Sequence, residues 1–265
     1  MSALSIAYIS LFYAAGLVFV SGLLHKVYRY IVTPAPLKIP TTPAPLTKGG
    51  VVARLFWEVV FFRSLFRGAK WTWLFGWMFH LALLVVLLRH LRYFTDPVWS
   101  PIELIQPFGI YAGFAMFLGL LALWGRRFFM VRVRYISAVS DHLMLVLLIA
   151  IIGSGFLVKY FVHTDVVALK AFVRGIMYFD WSPLPGAGGG EALNIVLLIH
   201  LFLVAMLMVV FPFSKLMHAP GLFFCPTRNQ IDNPRAEPGL RSHESRHVSQ
   251  WALNLDSESA KESGI

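Results

Sequence analysis

Charge is scarce in this chain. Asp, Glu, Lys and Arg make up 14% of its 265 residues, 58% are hydrophobic, and the mean hydropathy is +0.69. A soluble domain carries roughly 25% charged residues, and a globule of this length cannot hide so much apolar side chain from water. The composition excludes a soluble enzyme and a disordered chain. Cysteine is scarcer still. The single thiol, Cys225, allows no intrachain disulfide. It also excludes a self-contained iron–sulfur cluster, which takes about four thiolates. What remains is an integral membrane protein.

The chain is rich in long apolar runs. A bilayer core about 30 Å thick needs roughly 20 apolar residues per helix. Runs of that kind lie near Ser5–Leu24, Trp71–Leu91, Ile105–Trp124, Val139–Phe161 and Ala192–Phe213. The first has no charge before Lys26 and no basic flank or small-residue cleavage site, so it reads as a retained helix rather than a signal peptide. The expected fold is an all-α membrane protein, a bundle of five transmembrane helices.

Loop charge sets the orientation. Lys26–Lys70, Arg126–Arg134 and the segment after Phe213 hold eighteen Lys and Arg; the two other connections hold five. The N-terminus is therefore expected outside and the C-terminus in the cytoplasm, in the multi-pass topology of a cell inner membrane protein. The net charge of +10 follows mostly from this asymmetry and gives no reason to expect nucleic acid. The expected organisation is a transmembrane domain over 1–213, with a cytoplasmic loop at 25–70, and a cytoplasmic tail over 214–265.

The soluble parts are small. Thr33–Lys48 has five prolines and reads as extended, polyproline-like chain. Gly49–Lys70 reads as a helix containing Phe56, Trp57, Phe61, Phe62 and Phe66. Either it lies in the membrane interface or it docks a cytoplasmic partner. Pro183, Pro185, Gly186 and Gly188–Gly190 mark a turn-rich outer connection, and the tail beyond Glu237 turns hydrophilic and weakly ordered.

An ionisable side chain inside a membrane is a functional-site hypothesis by default. Here those side chains are histidines. His80 and His90 lie on the second run and His200 on the fifth, with His218 just past its end. At about 1.5 Å per residue, His80 and His90 are about 15 Å apart along the axis. The two helices run in opposite directions, so His90 matches His200 in depth and His80 matches His218. Two such pairs meet the requirement for bis-histidine ligation of two b-type haems in a bundle core. The spacing carries two strains. Ten residues leave the rings about 80° apart around the helix, and His200 to His218 would span about 27 Å if straight. Pro212 lies between them and supplies a break.

Other histidines fit less well. His25 and His163 sit at helix ends, and His243 and His247 lie in the tail. His142, beside Asp141, is a candidate spare ligand or proton-handling group. Ser154, Gly153 and Gly155 allow close approach of a macrocycle or of another helix.

Five helices with ligands ten apart on the second and eighteen apart at the fifth resemble the gamma, cytochrome b subunit of respiratory nitrate reductase. Pro36–Lys48 (PLKIPTTPAPLTK) and Cys225–Arg235 (CPTRNQIDNPR) resemble the DsrM branch of that superfamily, the membrane cytochrome b of DsrMKJOP complexes in sulfur-metabolising bacteria and archaea. The resemblance runs from the first helix to about Arg235. Thr42–Pro43–Ala44 departs from it, where relatives often carry a Cys-Gly pair.

The resemblance implies two haem b groups, an inner one on His80 and His218 and an outer one on His90 and His200. It also implies quinone as substrate and electron exchange with a cytoplasmic iron–sulfur subunit related to heterodisulfide reductase, alongside further membrane and outer-side subunits. The chain would then be the electron-transfer component of a quinone-linked oxidoreductase, with no substrate chemistry of its own. Arg92, Tyr93, Asp96 and Glu103 either meet a quinone head group on the outer side or serve as plain interfacial anchors. Arg89 and Arg92 outside and Lys215 inside are candidates to offset haem propionates. Two rival readings stay open. One gives the same two haems to a nitrate-reductase-like molybdoenzyme, against which Pro226–Arg235 argues. The other is a haem-free anchor or transporter, which leaves the four paired histidines unexplained.

Overall fold

Backbone amides inside a bilayer have no water to bond, so each crossing segment closes its hydrogen bonds on itself as a helix. The computed structural model describes residues 2–34, 44–162, 164–186 and 194–232. Its α-helices in chain order are α1 (Ala3–Val32), α2 (Lys48–Phe61), α3 (Arg63–Gly68), α4 (Lys70–His90), α5 (Ser100–Ile105) and α6 (Phe108–Phe129). They continue with α7 (Val131–Ile136), α8 (Val139–Tyr160), α9 (Val166–Tyr178), α10 (Ile195–Val210), α11 (His218–Phe224) and α12 (Pro226–Asn229). No strand occurs among the described residues.

Five of these, α1, α4, α6, α8 and α10, are long and apolar enough to cross a membrane, α4 and α10 each being extended by a single 3-10 turn. This is the expected all-α bundle. The boundaries shift where local chemistry intervenes. α6 begins at Phe108 rather than Ile105, because Ser100–Ile105 forms its own short helix and the chain turns at Gln106–Pro107. α10 ends at Val210, where Pro212 sits in a 3-10 turn and Ser214 is extended. The predicted single helix over Gly49–Lys70 is two helices. Phe62 breaks them with a left-handed backbone (φ 49°).

Chain contacts divide the molecule into two units, Met1–Tyr30 with Val60–Pro220, and Ile31–Val59 with Gly221–Ile265. In the first, helix association relies on close packing, since lipid offers no hydrophobic drive between helices. At Gly119 of α6 a Cβ would stand 3.1 Å from the Phe75 carbonyl oxygen of α4. Phe79, Ala82, Met116, Leu120 and Ile152 fill the core shared by α4, α6 and α8. A second core joins α1, α9 and α10 through Ile9, Leu169, Phe172, Leu184, Leu197 and Leu201. The Pro212 ring lies over Gly22 of α1. Large apolar side chains such as Leu17, Leu118 and Leu143 face outward, as a lipid-facing surface requires.

Because the chain makes five crossings, its first residues and its C-terminal segment leave the bundle at opposite ends, here the N-face and the C-face. The N-face is capped by α9, which lies within the connection between the fourth and fifth apolar runs. Asp165 caps it by accepting from the backbone N–H of Val167 (2.8 Å) and Ala168 (3.1 Å). The chain then reverses at Phe179 (φ 59°), passing so close to Gly175 that any Cβ there would meet the Asp180 carbonyl. Trp181 Nε1 donates to Tyr13 Oη (3.0 Å), and the Leu184 N–H donates to the buried Ser5 hydroxyl (3.0 Å). The first helix thus holds the returning loop.

In the second unit, Arg228 donates to Glu58 (3.0 Å) and the Asp232 N–H donates to the Pro45 carbonyl (2.9 Å). Phe56, Trp57 and Phe223 are exposed there, and Cys225 Sγ lies 3.1 Å from Thr227 Oγ1. The polyproline stretch at 35–43, His163, Gly188–Gly190, and the tail from 233 with His243 and His247 lie outside the described residues.

Candidate functional site

Each of the four paired histidines is held by one ring nitrogen. His80 Nδ1 donates to the Gly76 carbonyl (2.7 Å), His90 Nδ1 to Val86 (2.7 Å) and His218 Nδ1 to Lys215 (2.9 Å). His200 Nδ1 donates to Ser154 Oγ (2.9 Å), whose own hydroxyl proton goes to the Ile151 carbonyl (3.0 Å). A carbonyl can only accept, so Nδ1 carries the proton and the bare lone pair is on Nε2. That is the tautomer a metal-ligating imidazole adopts when its second nitrogen is fixed by an outer partner.

One pair of rings also lies close together. His80 and His218 lie with centroids 5.9 Å apart at an interplanar angle of 89°. Two imidazoles gripping one metal ion from opposite sides, with bonds of about 2 Å, set their centroids about 6 Å apart. Phe62 and Phe79 flank His80 edge-on at 5.0 Å each. His90 is within electrostatic range of His200. Gly155 passes under the His200 ring, where a Cβ would stand 3.3 Å from Cε1, and nothing lies within 4 Å of the position a Cβ would take at Gly153. The donor set, the tautomers and the glycine cradle fit bis-histidine haem. The His200–His218 span is relieved as Pro212 predicts, by 3-10 turns and extended Ser214 in place of straight helix.

The remaining candidates separate. His142 accepts from the Trp124 indole N–H at Nδ1 (3.2 Å), so its proton is on Nε2, the opposite tautomer, and it is not arranged as a spare ligand. Lys215 corrects another expectation. Its ammonium is committed to Asp141, 2.7 Å from Oδ1, rather than left for a propionate.

On the N-face, Arg92 and Glu103 line a small open cleft of about 230 Å³ with Val98, Gln106, Val166 and Lys170. Arg92 donates to Gln106 (3.3 Å) and lies over the Tyr93 ring (5.1 Å), and Tyr93 in turn contacts His90 at 6.0 Å. Asp96 stands apart from the other candidates. It receives Lys170 (2.9 Å) and Arg174 (2.7 Å) of α9 and fastens that helix to the end of α4. Lys170, Arg174 and Gln106 were missed from sequence; Asp165 before an apolar run was the available sign of their helix.

The hydrogen bond and charge of Lys170, joined by Arg174, hold the Asp96 carboxyl below the usual carboxylate range. A depressed folded pKa means the link is intact above the unfolded value, about 4, and is lost as pH falls through the folded one. Hydrogen exchange of α9 amides, corrected for intrinsic rates, should hold steady from pH 7 to 5 and rise only in stronger acid. Asp96→Asn should raise exchange at neutral pH and remove the acid step; equal protection in both proteins would refute the link.

A family model described as nitrate reductase gamma subunit matches residues 67–231. A protein of Archaeoglobus fulgidus named Hdr-like menaquinol oxidoreductase cytochrome b-like subunit is 35% identical over 90% of this chain and 81% of its own. The protein of the same name from Archaeoglobus profundus is 32% identical over 89% of this chain and 80% of its own.

Proposed function

The chain belongs to the nitrate reductase gamma subunit family, and from that premise we propose that it transfers electrons between a membrane quinone pool and a cytoplasmic iron–sulfur subunit. The observation that carries this reading is the shared tautomer of His80, His90, His200 and His218, each with Nδ1 engaged and Nε2 bare. On it, His80 and His218 hold one haem b and His90 and His200 hold the other. A bound haem supplies reversible one-electron chemistry.

The rest is the work of the chain. The carbonyls of Gly76, Val86 and Lys215, with Ser154, fix the ring tautomers and raise ligand basicity. Tyr93 bridges His90 to the N-face cleft, where Arg92, Glu103 and Lys170 offer a quinol head group donors and one carboxylate. The excess of Arg and Lys in the connections on the C-face supports placing that face in the cytoplasm and the cleft outside. Both similar proteins are named as the cytochrome b-like subunit of an Hdr-like menaquinol oxidoreductase, which supports menaquinol as the quinol and a heterodisulfide-reductase-like partner.

A dithionite-reduced minus oxidised spectrum of the purified chain, with pyridine-haemochrome quantitation, tests the reading. The expected result is two b-type haems per chain. Well-folded protein without haem would overturn it and favour an anchor or transporter.

A further inference from the structure

The described residues of the five spans hold one carboxylate. Asp141, in the first turn of α8, has a side chain only 5% exposed. Its Oδ2 accepts from the Ala138 N–H (3.2 Å) and from Arg127 (3.4 Å), and Lys215 approaches both carboxylate oxygens, at 2.7 and 2.8 Å. Lys215 is otherwise 72% exposed. Burying a carboxylate is costly unless cations and hydrogen bonds surround it, so this cluster is a fixed point at its end of the bundle.

Lys215 has a second attachment. Its carbonyl accepts both the backbone N–H and the Nδ1–H of His218. It stands in a single 3-10 turn, Lys215–Met217, between extended Ser214 and α11, downstream of the break at Pro212. No continuous helix carries His218 into place. The chain there is set by the Ser214 hydroxyl, which accepts from the Leu216 N–H (3.2 Å), and by the lysine side chain reaching across to α8.

We propose that Asp141 is a positioning residue for His218, acting through Lys215: the ammonium is anchored on α8, and the carbonyl of the same residue orients the imidazole. This rests on the haem reading above. Displacing the carbonyl that orients a metal-ligating histidine has the effect of losing that outer partner, which costs roughly 10–100-fold in affinity. Asp141→Ala and Lys215→Met should therefore each weaken haem binding at the His80/His218 site by at least about tenfold and change its low-spin electron paramagnetic resonance signal. The His90/His200 site should stay as in the parent, and Lys215→Arg should restore the first.

The experiment titrates haem into the full-length apo-protein in lipid nanodiscs for the parent and these variants, reading stoichiometry and resonance signals at each step. Retention of the second site certifies the fold of each variant. Unchanged affinity and signal in Asp141→Ala and Lys215→Met, with two haems in the parent, would overturn the positioning role alone. Loss of both sites in both variants, or failure of Lys215→Arg to rescue, would assign the cluster to general stability and overturn it as well. A parent that binds no haem would overturn the haem reading itself, and this inference with it.

Discussion

Alanine at His218 is expected to remove one of the two haems and leave the other. The imidazole pairs with His80 at 5.9 Å between centroids; Lys215 is tied to Asp141 and His142 has the opposite tautomer, so neither is arranged as a substitute. Loss of a strong axial ligand leaves a single imidazole for an iron that both rings should hold. Pyridine haemochrome should fall to about half the parental value, and reduction of the partner subunit by quinol should stop. His80→Ala should give the same spectrum as His218→Ala, because each deletes half of one site. His90→Ala and His200→Ala should remove the other haem and match each other. His218→Gly with added imidazole should regain the missing absorbance, since the carbonyl of Lys215 remains to orient a free ring. Pairing in any other combination would refute the depth argument while leaving the haems in place.

Much of this site was legible in the residues. Apolar runs declare spans because a bilayer leaves a helix no other choice, and α4 and α8 lie within a residue or so of their expected bounds. The approach of His218 to His80 needed only direction and rise. Pro212 foretold the break because it cannot donate into a helix. What escaped detection was structure decided by distant contacts. Phe62 takes a left-handed backbone with no glycine or proline to announce it, at a typical cost of about 1–3 kcal/mol, and its ring lies edge-on to that of His80. α9 is amphipathic and lies across the bundle end, so a search for runs of about 20 apolar residues passes over it. Asp96 read as a quinone candidate by position; its partners Lys170 and Arg174, some 75 residues away in sequence, reassign it to fastening α9.

On the proposed reading, that reassignment bears on which group would take a proton from a quinol in the cleft. Quinol oxidation gives up protons as well as electrons, so a quinol site there would need a base within reach of the hydroxyl. Asp96 is disqualified, because Lys170 and Arg174 occupy its oxygens and hold its carboxyl below the usual range, where a carboxylate is a poor base. Arg92 offers only donors and no lone pair for a proton, and Tyr93 offers a phenol rather than a carboxylate. Glu103 is the carboxylate that lines the cleft, on α5 beside Gln106. Glu103→Gln keeps the shape and removes the base. General bases contribute roughly 10²–10⁴-fold, so stopped-flow reduction of the haems by a menaquinol analogue should slow by at least about 100-fold. Dithionite needs no proton acceptor, and its reduction of the same variant should proceed at the parental rate with haem content unchanged. Asp96→Asn should slow quinol reduction far less, through looser packing of α9 alone. If Glu103→Gln reacts with quinol as fast as the parent, the cleft does not oxidise quinol, and the site must be sought at the other end of the bundle, beside His80 and His218.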